Sequence, residues 1–311
     1  MTTATAAKPK PRIIPLFLGV LVGFHLLLPI CFFEPFFTWW FPAYLLIGNF
    51  IFGSIGINLA YHRILTHRSL EVPKWLEKIF TLCGICSLET PPFKWVCVHR
   101  IHHQKSDIDE DPHSPKENFY WGHMGWIYHD DPRMNSFMTY DKYIPDLLED
   151  DWLRWIHKRN RWAWYYLGHV ALLLVLAAGI GFLVGGVETM LTATAQMFAW
   201  GIIARTVWVW HITWFVNSAA HRWGYQNYKT GDYSRNTWWV ALLTNGEGWH
   251  NNHHAAPRSA SHGHRWWEID LTFTFIRCLE LVGLAKNVVP IAVPKAKLET
   301  SDVPAPASTS A

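Results

Sequence analysis

Cysteine and charge are both scarce in this chain. Its five cysteines lie mainly in apolar surroundings and form no even framework, so the sequence excludes a disulfide-stapled extracellular domain and favours a reducing compartment. Charged residues make up only 16% of the chain and the formal net charge is +3. A nucleic-acid binder would concentrate basic residues into a stripe, so no nucleic-acid partner is expected.

The N-terminal residues also lack the pattern of a cleavable leader. Lys8, Lys10 and Arg12 lead directly into a long apolar stretch, with no short hydrophobic segment followed by a small-residue cleavage site. That stretch is therefore expected to stay in the mature protein.

The sequence contains several long apolar runs with few charged residues. A helix needs about 20 apolar residues to cross about 30 Å of hydrocarbon. Four stretches are long enough, and each of two pairs is joined by a short turn, at Glu34 and Pro35 in one and at residues 185–188 in the other. The sequence predicts an all-α integral membrane protein with four transmembrane helices in two hairpins, at about residues 13–33, 37–61, 164–184 and 190–216.

The distribution of Lys and Arg predicts the orientation. Both turns lack these residues, whereas the N-terminus, residues 62–163 and the segment after residue 217 are rich in them, which is typical of the cytoplasmic side. We expect residues 1–12 to be a cytoplasmic N-terminal segment and residues 13–293 to form one membrane domain with a cytoplasmic helical cap. Residues 294–311, rich in Pro, Ala, Ser and Thr, are expected to be a disordered tail. Both termini would then be cytoplasmic.

Histidine is abundant, with 18 in the chain, and several lie in three short motifs. Two of these motifs share the pattern H-x-x-H-H, which a random chain of this composition would contain well under once. Positions three and four apart lie on one face of a helix and can point at one centre. The motifs are H-R-I-L-T-H with His62 and His67, H-R-I-H-H with His99, His102 and His103, and H-N-N-H-H with His250, His253 and His254.

The first motif has a different spacing from the other two. His62 and His67 are five residues apart, about 140° around an ideal α-helix, so both can face one centre only at a helix end or a local break. The end of the second predicted span supplies such a place.

Imidazole is a ligand for iron, copper, nickel or zinc, and the sequence itself does not exclude zinc. The clustered histidines are too many for one ion, so two adjacent metals fit better. Asn217 and His221 have the same four-residue relation at the end of the fourth span and join the candidates, Asn217 through a water. The remaining histidines are interpreted as ordinary core or interface residues: His25, His113, His123, His129, His157, His169, His211, His262 and His264.

The motifs resemble those of the membrane fatty acid desaturases of the Δ9 class, which includes stearoyl-CoA desaturases and the acyl-lipid Δ9 desaturases of cyanobacteria and plants. The resemblance runs from about residue 37 to 289 through H-R-I-L-T-H-R-S, W-V-C-V-H-R-I-H-H, D-P-H-S-P, W-F-V-N-S-A-A-H and G-E-G-W-H-N-N-H-H. Residues 238–254 and the W-W-E-I-D at 266–270 look closest to the acyl-lipid branch. The stretch from Glu89 to Pro92 departs from the pattern of both branches.

Carried over by position, the resemblance implies metal ligation by the eight motif histidines and His221, with Asn217 holding a metal through water. It also implies a narrow, bent acyl tunnel in which Trp95, Thr213 and Trp214 bind substrate. No catalytic side chain beyond the metal centre is implied.

The implied reaction is O2-dependent formation of a cis double bond, at Δ9, in a saturated C16 or C18 acyl chain. It would use two Fe ions, O2 and two electrons. The tail after residue 289 is too short for an appended cytochrome b5-like domain, so the expected electron donor is a separate ferredoxin, rubredoxin or cytochrome b5. The acyl carrier, whether a membrane lipid, coenzyme A or acyl carrier protein, stays open.

Three other functions compete with this interpretation. A related di-iron alkyl hydroxylase would use similar histidine motifs. A metal transporter would need ionisable ligands near the middle of its spans, whereas the clusters lie at span ends. A bis-histidine haem protein, built on His25 and His169, would leave the clusters unexplained.

Overall fold

A computed structural model describes residues 12–108, 110–131, 134 and 136–295, and these are mostly helical. The α-helices are α1 Pro15–Leu27, α2 Phe41–Gly48, α3 Lys74–Ile85, α4 Pro92–Lys105, α5 Phe119–His123, α6 Phe137–Tyr143, α7 Pro145–Leu148, α8 Asp151–His157, α9 Arg161–Gln196, α10 Arg205–Ser218, α11 Trp238–Leu243, α12 His250–Ala255 and α13 Leu271–Leu281. π-Helices span Asn49–Thr66 and Met197–Ala204, and 3-10 helices span Leu28–Phe32, Gly125–Tyr128, Lys158–Asn160 and Ala219–His221. Arg12–Ile13 (β1) pairs antiparallel with His129–Asp130 (β2).

Within the part of the chain that the structure describes, three continuous helical segments are long and apolar enough to cross a membrane: Pro15–Phe32, Phe41–Thr66 and Asp151–His221. The third is 71 residues long, far more than one crossing needs. Its backbone leaves the helical region at Gly185 and at Gly186, where φ is +70° and favours glycine. A Cβ built on Gly181 would lie 2.9 Å from the Cα of Met190, so the chain reverses here. This break coincides with the predicted turn at residues 185–188.

The second segment changes from α-helix to π-helix at Asn49. It ends with the amide of His67 donating to the carbonyl of His62 at 3.1 Å, a five-residue hydrogen bond. A π-helix, whose hydrogen bonds join residues five apart, brings these two positions to one side. The structure thus supplies the helix end that the spacing of the first motif requires.

Arg63 ties the end of this segment to the C-terminal part of the chain. Its side chain is fully buried and lies 2.9 Å from Glu247 and 3.0 Å from Asp270, and it donates to the carbonyl of Ala260 at 2.7 Å. A buried charge requires such partners, and removing one typically costs about 3–5 kcal/mol. The contacts hold the first histidine motif against the third.

The proposed ends of the membrane domain are only partly visible. Arg12, predicted as the last residue of a cytoplasmic segment, pairs with Asp130 in the two-stranded sheet. Residues 1–11 and 296–311, which include most of the predicted tail, lie outside the described residues.

Candidate metal centre

Four segments bring the predicted histidines together. The end of the second membrane segment carries His62 and His67, α4 carries the second motif in its last two turns, the 3-10 turn after α10 ends at His221, and α12 carries the third motif. They form two groups, in each of which the potential ligand atoms all lie within 4.8 Å of one another. One group is His62, His67, His99, His103 and His253, and the other is His102, His221, His250 and His254.

Ring nitrogens face one another inside each group. Nε2 of His253 lies 3.0 Å from Nε2 of His62 and 2.8 Å from Nε2 of His103, and the latter lies 3.1 Å from Nε2 of His99. In the other group, Nε2 of His250 lies 2.9 Å from Nε2 of His221. An Nε2 atom has either one N–H or one lone pair to offer, so both contacts of His253 Nε2 cannot be full hydrogen bonds. Nitrogens converging in this way are suited to share a cation.

Other ring nitrogens fit a metal because they are buried without a protein partner. Nε2 of His67 and Nε2 of His102 are in this position among the described residues. Burial of an unpaired imidazole nitrogen is unfavourable unless something binds it. The donor set therefore fits divalent transition metals, one in each group.

Burial favours the neutral form of four of the site imidazoles, and the neutral form is the one that binds metal. Burial is the main cause that lowers the pKa of His99, His103, His250 and His253 well below the ordinary histidine value, and the neighbouring histidines lower it further.

Carboxylates hold the opposite nitrogen of four of the histidines. The Nδ1 distances are 2.7 Å from His62 to Glu247, 3.0 Å from His102 to Asp111, 2.8 Å from His221 to Asp107, and 2.7 Å from His254 to Asp232. A carboxylate at Nδ1 fixes the ring and its tautomer and leaves Nε2 for the metal.

The carboxylates themselves remain ionised. Burial alone would raise the pKa of Asp107, but the charge and hydrogen bond of His221 hold it at about 2. Burial also acts to raise the pKa of Asp111 and Asp232. The charge and hydrogen bond of His102 lower the pKa of Asp111, and those of His254 lower the pKa of Asp232. One of these carboxylates, Glu247, thus lies behind the first group, and the three aspartates lie behind the second.

Sequence reasoning missed these four acids and two histidines. His262 lies 3.1 Å from Glu247, and the ring of His113 is 4.4 Å from that of His102, although both histidines were interpreted as unrelated to the site. A signal was present, since Asp111 opens the motif D-P-H-S-P and Glu247 lies three residues before His250.

A cavity beside the first group collects the remaining predicted residues. It is lined by Trp95, Thr213, Trp214 and Asn217 together with His62 and His99. The indole of Trp95 stacks on His99 with ring centroids 5.0 Å apart, and its Nε1 donates to Glu89 at 3.1 Å. Asn217 thus lies at the site without belonging to either histidine group.

A second, apolar cavity of about 350 Å³ adjoins the first. The two share Glu89, Ile127 and Trp214 as lining residues. The second cavity continues between α1 and the start of α9, where its lining includes Leu16, Phe17, Trp162, Ala163, Tyr166 and Leu167. The two cavities thus lie side by side between the outer faces of α1 and α9 and the histidines His62 and His99.

Comparison with known proteins agrees with this architecture. A family model described as fatty acid desaturase matches residues 35–277. The sn-1 stearoyl-lipid 9-desaturase of Synechocystis sp. is 41% identical over 290 residues, covering 93% of this chain and 85% of the relative. The sn-2 palmitoyl-lipid 9-desaturase of Nostoc sp. is 42% identical over 274 residues, 88% of each chain. A chloroplastic palmitoyl-monogalactosyldiacylglycerol delta-7 desaturase of Arabidopsis thaliana is 40% identical over 271 residues, 87% of this chain and 67% of the relative.

The chain belongs to the fatty acid desaturase family, and the resemblance drawn from its motifs is confirmed. It is an oxidoreductase that acts on fatty acyl chains, and its two histidine groups fit a di-iron centre.

Proposed function

We propose that this protein is an O2-dependent acyl-lipid desaturase that forms a cis double bond at Δ9 in a saturated C16 or C18 chain. The observation that carries the proposal is the pair of histidine groups, the first of which lies beside two adjoining, mainly apolar cavities. The relatives named above as 9-desaturases act, by their names, on stearoyl and palmitoyl lipids, which supports both the position and the carrier. A delta-7 desaturase is also 40% identical, so the proposed Δ9 position of the double bond rests on the two relatives named as 9-desaturases.

The nine histidines would hold two iron ions, and Asn217 would contribute through a water. The converging nitrogens and the carboxylates behind them support this assignment. Bound iron would supply the activation of O2 that removal of hydrogen from unactivated methylenes requires. The side chains do the rest of the work: they hold the metals, exclude water and place the substrate.

Trp95, Thr213 and Trp214 would position the acyl chain beside the first histidine group. All three line the cavity that also contains His62 and His99. Many methylenes in an acyl chain are chemically equivalent, so the carbons that react are those that the walls of the cavity hold near the metals.

The second cavity supports a membrane lipid as the substrate. Its outer wall includes Leu16 and Leu167, whose side chains are 72% and 53% exposed on apolar helices. An acyl chain already in the bilayer could enter between α1 and α9 while its polar head stayed at the interface.

The break at Gly185 and Gly186 supports the proposed topology. We infer four crossings in two hairpins, with the termini and the histidine groups on the cytoplasmic side, as the distribution of Lys and Arg indicates. The two electrons would come from a separate ferredoxin, rubredoxin or cytochrome b5 docking on that side.

Expression in a host that lacks its own desaturase tests the proposal. Lipid classes and the acyl-CoA pool are separated after a pulse of labelled fatty acid, and mass spectrometry locates the double bond in each. We expect a loss of two hydrogens between carbons 9 and 10, seen first in glycerolipid. A gain of one oxygen would show a hydroxylase, early appearance in acyl-CoA would overturn the carrier, and an unchanged lipid profile with metal uptake would overturn the enzyme.

A further inference from the structure

Residues 237–248 form a hairpin, here called the α11 hairpin, that runs beside the second apolar segment. At its base, the amide of Thr237 donates to the carbonyl of Gly248 at 2.8 Å. α11 forms one arm, and the chain reverses at Asn245, whose φ of +57° is a conformation that Asn adopts more readily than most residues. The hairpin is thus closed at its base, and its tip is formed by residues 243–245.

Contacts with the second apolar segment show how far the hairpin extends along it. At the base, Glu247 lies 2.7 Å from His62, near the end of Phe41–Thr66 that carries the first histidine motif. At the tip, the side chain of Asn49 donates to the carbonyl of Leu243 at 2.9 Å. Asn49 lies in the half of this segment that is farther from the histidines. The hairpin therefore follows the segment from its histidine end to beyond its midpoint.

Protein groups bind the backbone carbonyls at the tip. In addition to the contact of Leu243, the side chain of Asn58 donates to the carbonyl of Thr244 at 2.6 Å, and the amide of Thr272 donates to the carbonyl of Asn245 at 3.0 Å. Non-helical backbone is tolerated at membrane depth only where it is buried in protein or lines a water-filled cavity. The tip meets the first of these conditions.

The length of the second segment indicates where the tip lies relative to the membrane. A helix needs about 20 residues to cross about 30 Å of hydrocarbon. If the membrane boundary lay between α2 and Asn49, only the eight residues of α2, Phe41–Gly48, would remain for this crossing. Because that is too few, a second segment that spans the membrane places the tip of the hairpin within the hydrocarbon.

The outer surface of the hairpin is apolar. Residues 238–245 contain no ionisable side chain, and Trp238 and Leu242 are 66% and 68% exposed. Together with Ile269 and Leu271, which are also exposed, they line a groove of about 200 Å³. A contiguous exposed apolar surface of this kind marks a site of interaction with a membrane or another protein.

Arginine and tryptophan side chains lie beside this surface. The guanidinium of the exposed Arg265 lies 5.3 Å from the ring centre of Trp267, which lines the groove. Near the base, the guanidinium of the exposed Arg222 lies 5.9 Å from the ring centre of Trp223. Tryptophan is enriched at membrane interfaces, and arginine there buries its apolar stem and keeps its charge among the headgroups. The positive charges complement lipid phosphates.

We propose that the α11 hairpin is a re-entrant segment whose tip and groove lie among the acyl chains of the leaflet on the side of the histidine groups. The hairpin continues the lipid-facing surface of the second segment, which favours lipid as the occupant of the groove. Through Glu247 at its base, the hairpin fixes the depth of His62 in the membrane. This inference rests on the second crossing of the proposed topology and is independent of the proposed reaction.

Nitroxide labels measure the depth of the hairpin in the full-length protein. Cys83→Ala and Cys278→Ser first remove the two cysteines that are not buried. Leu242→Cys or Trp238→Cys is then labelled, and each side chain is exposed, so its replacement disturbs little packing. The protein is reconstituted in vesicles of phosphatidylcholine and phosphatidylglycerol. Electron paramagnetic resonance power saturation compares the access of O2, which concentrates in hydrocarbon, with that of a water-soluble nickel chelate.

Two further labels calibrate the measurement. Leu46→Cys lies on the exposed face of the second segment, and Glu117→Cys replaces an exposed charged residue outside the hairpin. We expect the label at Leu242 to be relaxed more by O2 than by the chelate, as at Leu46, and the label at Trp238 to be shallower. Glu117→Cys should show the opposite preference.

Three results would overturn the re-entrant assignment. The first is a label at Leu242 with the chelate access of Glu117→Cys, and the second is a label at Trp238 that lies deeper than that at Leu242. The third is an aqueous label at Leu46, which would overturn the second crossing as well. Turnover plays no part in the measurement, so an inactive protein with the expected depths would count against the proposed function alone.

Discussion

Nδ1 of His102 lies 3.0 Å from the carboxylate of Asp111, and both side chains are buried. The carboxylate also accepts from the backbone amides of Asp107 and His113, at 2.8 Å and 3.1 Å, so its orientation is fixed by the loop after α4. His102 consequently presents a single nitrogen, Nε2, to the interior. Asp111 thus fixes the direction in which His102, a proposed metal ligand, points.

Asp111→Asn should weaken metal binding because the amide replaces a charged acceptor at Nδ1 with a neutral one. Loss of such a partner typically costs 10- to 100-fold in metal affinity or activity. We expect lower iron content at limiting iron, measured by elemental analysis of the purified protein. The matched control is Asp141→Asn on the exposed side of α6, and equal iron content in the two variants would contradict the assignment.

His250→Ala should abolish product formation while leaving the protein in the membrane. The change removes one of the four ring systems of the second histidine group and leaves the apolar segments unaltered. Gas chromatography of total fatty acids and immunoblotting of the membrane fraction report the two effects. His157→Ala, outside both groups, should retain activity, and full desaturation by His250→Ala would contradict the ligand assignment.

Removal of the metals should destabilise the folded protein. A ligand that binds only the folded state stabilises it by about 2.7 kcal/mol at 100 times its Kd. A chelator should therefore lower the melting temperature in detergent, and added Fe(II) should restore it. The His250→Ala variant should show a smaller shift, and an identical melting curve with and without chelator would contradict a metal in either group.

Glu89 should set an alkaline limit on activity. Burial raises the pKa of Glu89 to about 8, although the hydrogen bonds of Thr213 and Trp95 lower it. Because the folded pKa is raised, this carboxyl is neutral near pH 7, and its favourable neutral state is lost as pH rises through about 8. A charge would then appear where the two cavities meet.

Glu89→Gln keeps a neutral polar group of the same shape at that place. We expect near wild-type activity at pH 7 in this variant, without the decline above about pH 8 that is predicted for the wild type. The pH profile of desaturation in proteoliposomes measures it, with the exposed Glu71→Gln as the control. Parallel profiles for the wild type and Glu89→Gln would contradict the titration.

Ala163→Trp should obstruct the outer part of the second cavity. Ala163 lines that cavity on α9, whereas Ala171 on the same helix is exposed. We expect Ala163→Trp to lower desaturation of membrane lipid with iron content unchanged, and Ala171→Trp to be near neutral. Equal activity in the two variants would rule out this path for the acyl chain.

The features that the sequence predicts are those encoded by residues close together in the chain. Apolar runs gave the membrane segments, and the three- and four-residue spacings gave two of the histidine clusters. The five-residue spacing of His62 and His67 excluded an ideal α-helix, but no residue type in this segment predicts the π-helix that forms there. Pairing of His62 with Glu247 or of His221 with Asp107 joins residues far apart in sequence, and no local pattern indicates it.

The histidine groups have a consequence for biosynthesis. Each group combines histidines from both halves of the membrane domain, since His62 and His253 share one group and His102 and His254 share the other. During translation, neither group can be completed until α12 has been made and has folded back onto the earlier segments. Loading of the proposed iron would then be a late step, and nascent chains that stop before His250 would be released without a metal centre.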